Sequence, residues 1–150
     1  MSNPLLRTLL AASVSLAAAC AGSGYQGVPR PVSQVVPADA CRVFVARENG
    51  TRGAIRNVRV FDGDFEIGLI AADEYLVWDR NPIRGVGRLV FEGIEPKLAA
   101  VENVFDLPRE PGTTSYFAIR IDSKNKPMVE RVSDEAGRAL IDARSPAPIR

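Results

Sequence analysis

Two cysteines, an alternating run of carboxylates and four arginines set close together are the residues of this 150-residue chain with chemistry specific enough to reason from. Cys20 closes an apolar run, Leu9 to Ala19, that follows Arg7. A basic start, an apolar stretch of about a dozen residues and small residues at its end are the parts of a secretory signal peptide. A cysteine at that junction is the residue that lipoprotein signal peptidase leaves first. The expectation at Cys20 is acylation by chains such as palmitate, because two or three chains anchor stably where one, at about 0.8 kcal/mol per buried methylene, binds only marginally. Plain secretion is the rival: cleavage after Ala17-Ala18-Ala19 would leave the Cys20 thiol free to pair with Cys41 in an oxidising compartment. The apolar run is too short to span a bilayer, which takes roughly twenty apolar residues, and no later stretch is long and apolar enough to do so.

Histidine is absent, which removes the commonest general base, the usual partner of a serine or cysteine nucleophile and the commonest zinc ligand. Asp62, Asp64 and Glu66 alternate, but calcium takes an oxygen-rich loop of about a dozen residues that this spacing lacks, and Asp62-Gly63 is accounted for by a turn. Asp73-Glu74 beside Tyr75 and Trp78 has the residue types of a sugar-cleaving site, two carboxylates over an aromatic platform. Neighbours on a strand point to opposite faces, so a solvated turn is the better reading. Cys41 shares the parity of Val43 and Val45 and is expected to face the core as an inert thiol. Gly85-Val86-Gly87-Arg88 is half of a phosphate-binding glycine pattern, without its third glycine or its helix. What remains is a set of candidate binding residues. Arg47, Arg52 and Arg56, with Arg59 near them, suit lipid phosphate or a carboxylate, with solvation at the surface as the default; Tyr75 and Trp78 suit stacking on a glycan or peptide, though an aromatic on a strand is usually core. No catalytic residue, metal site or cofactor is expected.

The elements that must position these residues are mostly strands. Residues 20–39 are punctuated by glycine, serine and proline and read as a tether; at about 3 Å per residue it could reach about 50 Å. Its alternative is a loop packed on the domain, with Val35-Val36 pairing as an edge strand. The domain is expected over 40–144. It opens with the strand Cys41 to Arg47, ended by Asn49-Gly50. Val58 to Phe61 and Asp64 to Leu69 flank Asp62-Gly63, a two-residue hairpin turn. That closure puts Phe61 opposite Asp64, Val60 opposite Phe65, Arg59 opposite Glu66 and Val58 opposite Ile67, so that Val58, Val60, Phe65 and Ile67 share a face. Arg59 and Glu66 then form a cross-strand ion pair worth roughly 0.2 to 1 kcal/mol. Further strands are expected at Tyr75 to Trp78, Leu89 to Phe91, Val101 to Leu107, Ser115 to Asp122 and Pro127 to Val132.

Ser133 caps a short helix with Asp134 and Glu135 in its first turn, where acidic side chains meet the positive end of the helix dipole. Ala136, Ala139, Leu140 and Ala143 are expected to face the sheets. The helix should stop near Arg144, before Pro146 and Pro148, leaving 145–150 as a disordered tail. About seven or eight short strands with regular turns and one late helix indicate an all-β, antiparallel β-sandwich.

The run Cys41-Arg42-Val43-Phe44-Val45-Ala46-Arg47, the hairpin Val60-Phe61-Asp62-Gly63 with Ile67-Gly68-Leu69, and Tyr75 resemble a family of bacterial envelope proteins catalogued as domain of unknown function 2846. Gly112 with Tyr116-Phe117, and Val132 with Glu135-Ala136-Gly137-Arg138, look like that family's closing strands and helix start, so the resemblance covers about Cys41 to Arg144. Where such proteins often carry Pro-Gly before a strand, this chain has Asn81-Pro82-Ile83-Arg84-Gly85-Val86-Gly87. The resemblance implies lipoprotein character and a sandwich-like fold, and it carries no activity onto any residue.

Removing residues 1–19 takes Arg7 with it and leaves basic and acidic residues near balance, so no net field favours nucleic acid. The length suits one domain able to bury its own core. These readings converge on a lipid-anchored envelope protein that binds or scaffolds. Its partners would be the bilayer, through acylated Cys20, and an envelope protein. Ala21, where inner-membrane retention commonly uses aspartate, favours the outer membrane, facing the periplasm. The rivals are a carboxylate-dependent enzyme acting on an envelope polymer and a small-ligand carrier with an apolar pocket between its sheets.

Overall fold

A computed structural model describes residues 32–48, 57–91, 103–121 and 127–149. Alternation of inward β-branched and aromatic residues with outward polar ones builds strands that are half-buried, and two such sheets stack on their apolar faces. The elements in chain order are β1 (Cys41–Arg47), β2 (Val58–Asp62), β3 (Phe65–Ile70), β4 (Glu74–Arg80), β5 (Val86–Phe91), β6 (Asn103–Asp106), β7 (Thr114–Ile121), β8 (Pro127–Val132), α1 (Asp134–Asp142) and β9 (Ser145–Pro146). One sheet has five strands in the order β8-β7-β1-β4-β9 and the other four in the order β3-β2-β5-β6. The expected all-β sandwich with a late helix is the fold. Two of its pairings are parallel, β1 with β7 and β4 with β9, within sheets that are otherwise antiparallel.

Val43, Val45, Leu76, Trp78, Phe117 and Ile119 from the first sheet meet Val58, Val60, Ile67, Ile70, Leu89, Phe91 and Phe105 from the second in a single core. Each such side chain, fully buried, contributes about 1.5 to 3 kcal/mol. Gly87 lies opposite Phe105 in the β5/β6 register. A Cβ there would sit 2.2 Å from the Phe105 ring, so the ring covers the glycine.

The β2/β3 hairpin closes one residue later than its sequence suggests. Gly63 and Asp64 form the turn, with Gly63 at φ 59° as a glycine-first hairpin turn requires. The register then runs Asp62 to Phe65 and Phe61 to Glu66. A bulge follows, and the pairing resumes with Val60 opposite Gly68 and Val58 opposite Ile70. The shift turns Asp62 inward to complete burial and leaves Phe65 at the rim, 36% exposed, while Ile67 and Ile70 take the core positions. Arg59 and Glu66 still meet, at 4.0 Å and partly exposed.

Ser133 caps α1 as expected, its Oγ accepting from the Ala136 amide at 3.3 Å. The buried face differs from the expected one. Ala136, Ala139 and Ala143 are exposed, whereas Gly137 is buried and Leu140, Ile141 and Arg144 are half-buried. The cause is steric: a Cβ on Gly137 would lie 2.2 Å from Tyr116 Cγ and 2.5 Å from its Cβ, so the helix touches the sheet at its one residue without a side chain. In an isolated helix Gly137→Ala would gain about 1 kcal/mol. Here the clash is with the root of the tyrosine side chain, and the expected outcome is a loss of about 1 to 3 kcal/mol, read as a lower melting temperature.

Residues 145–149 are seated rather than frayed. Ser145 and Ala147 donate their amides to the carbonyls of Asp73 and Tyr75 at 3.1 and 2.7 Å, and Ile149 bridges to Gly68 on β3. Proline ends a helix but is compatible with an edge strand. Pro146 and Pro148 therefore divert the chain from α1 onto the sheet edges instead of into solvent. At the other end, residues 32–39 form no paired strand; Pro37 accepts from the Ala40 amide at 3.0 Å and the segment lies against the domain.

Candidate functional site

Among the described residues, a dense group of chemistry-bearing side chains is inside the sandwich, at the end where β2 and β4 stop. Asp62 follows the inward parity of Val58 and Val60, and Arg80 that of Leu76 and Trp78, so the two charges point at each other from opposite sheets. Arg80 Nε lies 2.9 Å from Asp62 Oδ2, and both side chains are fully buried. Trp78 Nε1 donates to the same oxygen at 2.9 Å. Arg80 Nη1 donates to the carbonyls of Pro108 at 2.7 Å and Ile83 at 3.1 Å. One guanidinium thus ties the β2 end, the β4–β5 loop and the segment after β6 together. Gly85 leaves room for it: a Cβ would lie 2.3 Å from Arg80 Nη2.

Cys41 completes the group, donating from Sγ to the Pro108 carbonyl at 3.4 Å. Burial pushes its thiol above the ordinary value, against the opposing pull of the nearby Arg80 charge. The thiol is free and buried. Because its folded pKa is raised, its contribution to stability is full below the unfolded value and is lost as pH climbs through the folded one. Two outcomes are expected. Native Cys41 resists alkylation until the chain unfolds, and stability declines on the alkaline side as the thiol is forced to ionise; a denaturant titration with timed iodoacetamide quenches checks both.

A second ion pair lies on the outer face of the five-stranded sheet, where β1 pairs Arg42 directly with Asp79 of β4. The contact is a fork on a carboxylate, Nε to Oδ1 at 2.7 Å and Nη2 to Oδ2 at 2.9 Å. Such paired charge-assisted bonds fix geometry as well as energy. Arg42 is 8% exposed and Asp79 1%. The same Nη2 donates to the Ser33 carbonyl at 2.6 Å, which fastens residues 32–39, the leader into β1, to the domain.

Among the described residues, the candidate binding residues do not assemble. Arg47 ends β1 at 5% exposure; burial lowers its guanidinium pKa, and the neighbouring Asp73 charge counters this. Arg59 is on the outside of the other sheet with Glu66, and Arg52 and Arg56 lie outside the described residues, as does Cys20. Trp78 and Tyr75 are on opposite faces of β4, three positions apart. Trp78 is wholly in the core with its indole N–H given to Asp62, so it presents no stacking surface. Tyr75 is half-buried in a small aromatic row with Phe44, centroids 6.0 Å apart, and Phe44 stacks on Tyr116 at 5.0 Å. Asp73 and Glu74 are used locally: Asp73 takes φ 62° in the turn, and Glu74 accepts the Ala71 amide at 2.8 Å.

Arg80, Arg42 and Asp79 were not singled out by their sequence pattern, and Asp62 was read as a turn residue rather than as a charge partner. For Asp62 and Arg80 the available signal was parity, an acid and a base each occupying an inward position on a strand otherwise apolar there. Reading it requires knowing which strands face each other.

Fold and charges together define a β-sandwich whose acidic and basic groups close on one another inside it and along one face. Comparison with models of known protein families, with curated proteins and with solved structures finds no match in any of the three.

Proposed function

We propose that this chain is a cell-envelope lipoprotein, anchored through acylated Cys20 and acting as a non-catalytic binding or scaffolding module at the outer membrane, on its periplasmic side. Its sequence support is the Leu9 to Ala19 run ending in Cys20 and the resemblance given above. The structural observation that carries the non-catalytic part is the engagement of the buried carboxylates: Asp62 is held by Arg80 and Trp78, and Asp79 by Arg42. A catalytic acid or base needs hydrogen-bond reach to a reacting group, and both of these are turned to internal partners. Binding through backbone edges and loops asks for no such group.

The test compares wild type with Cys20→Ser in cells, first by the mass of the mature N-terminal peptide and its partition with membranes, then by crosslinking and capture. The expected result is an acylated Cys20 peptide in the membrane fraction and an envelope protein enriched only with the acylated form. A soluble wild-type chain with Cys20 joined to Cys41 supports the secretion rival. Loss of an envelope polymer on incubation with purified protein overturns the non-catalytic reading.

A further inference from the structure

Residues 145–149 occupy a groove that the fold builds for an extended chain. One wall is the edge of β4, whose Asp73 and Tyr75 carbonyls accept from Ser145 and Ala147 in parallel register. The other wall is β3, where Gly68 pairs with Ile149. Between the walls Ala147 enters the core at 7% exposure. Gly68 makes the approach possible: a Cβ there would sit 2.9 Å from the Pro148 carbonyl oxygen. The alternating positions, 146 and 148, are prolines, which have no amide N–H to satisfy on the outer side.

The seat is complete but lightly filled. The strap enters the core with a single methyl group and uses few backbone bonds, and the helix before it is fully buried only at Gly137. Segments with few buried apolar contacts open well below the free energy of global unfolding. A groove with backbone acceptors on its rim and a small apolar socket is the geometry by which a sheet edge takes an added strand.

We propose that this groove is a strand-accepting site, kept self-occupied by the C-terminal strap, whose partner is an extended protein segment of the pattern x-Pro-small-Pro-apolar. The proposal rests on the binding-module reading and names where that binding occurs. The strap shows the required chemistry: donors at alternate amides, a residue no larger than alanine at the core socket and an apolar residue two positions on. An incoming segment must outcompete an intramolecular one, whose effective concentration is about millimolar for a short connection, so the site favours partners presented at high local density.

The probe is a fluorescent peptide with the sequence of residues 144–150, titrated by anisotropy against the full chain. Ala147→Glu drives a charge out of the socket and vacates the groove, and is expected to bind the peptide at least about tenfold more tightly than wild type. Adding Gly68→Val to that variant fills the groove and should abolish the gain. A peptide carrying the Ala147→Glu change should not bind. Equal binding to wild type and Ala147→Glu, or none to either while circular dichroism shows both folded, overturns the site. If Ala147→Glu does not fold, hydrogen exchange on the wild-type chain decides. The Ala147 amide should exchange at least about a hundredfold faster than that of Val45, and equal rates overturn the proposal because the strap would then leave only on global unfolding. Failure here with successful capture of a partner in the Cys20 experiment rejects the groove and keeps the binding module.

Discussion

Asp62→Ala is expected to lower the unfolding free energy by about 3 to 5 kcal/mol, a large part of the stability of an ordinary domain. The size follows from what is left behind. Arg80 is fully buried between the sheets, and without Asp62 its positive charge loses its carboxylate while the neutral carbonyls of Ile83 and Pro108 remain, and the Trp78 indole loses its acceptor. Dipoles do not neutralise a charge removed from water. Asp62→Asn keeps the shape and an acceptor and should fall between wild type and alanine. The double change Asp62→Leu with Arg80→Met should recover part of the loss, because a buried pair replaced by apolar groups costs less than a pair broken in half. Urea titrations of the four proteins check this, with the exposed Asp106→Ala as a control expected within about 0.5 kcal/mol of wild type. A single-mutant loss no larger than the control's would mean that water reaches Arg80.

Asp79→Ala should cost about 3 kcal/mol by the same logic, with a second effect that Asp62→Ala does not share. Asp79 holds Arg42 in the orientation from which Nη2 reaches the Ser33 carbonyl. Loosening the guanidinium releases the leader, so proteolysis within residues 33–39 should accelerate under conditions where the rest of the domain stays folded. Arg42→Lys separates charge from geometry: lysine keeps the positive charge but lacks the planar fork, and should retain part of the stability while losing the leader's protection. Cleavage of the leader at an unchanged rate in Asp79→Ala would show that the Ser33 contact does not hold it.

The strands were legible because their residues obey two rules at once. Cys41 to Arg47 and Thr114 to Ile121 combine β-branched and aromatic residues with turn residues at their ends, and both are strands in the structure. Ser133 with Asp134 and Glu135 announced the helix start. The hairpin register was not legible, because Asp-Gly turn chemistry is satisfied by closing on Asp62-Gly63 or on Gly63-Asp64, and only the burial of Asp62 against Arg80 decides between them. The helix rotation escaped for a related reason. Small apolar residues at 136, 139 and 143 suggest a buried stripe, but the closest approach to Tyr116 admits nothing larger than Gly137.

The candidate site was less legible than the fold. Arg47 looked like surface chemistry through residue type and neighbourhood, yet it is buried, and Trp78 takes the core position usual for an aromatic on a strand. The residues that did converge, Asp62 and Arg80, are distant in sequence and on different sheets. Local patterning cannot pair them.

Pro146 and Pro148 have a consequence for how copies of this protein behave when crowded. Successive amides along an extended chain point to opposite sides, and those of Ser145 and Ala147 are directed at β4. The outward positions are the two prolines, so this margin of the sandwich offers a newcomer no N–H at either. An open margin with both donors and acceptors is a template for sheet-to-sheet growth and fibre formation. With the strap in place, that margin is capped by residues unable to propagate the ladder, and many chains can stand side by side there without knitting together.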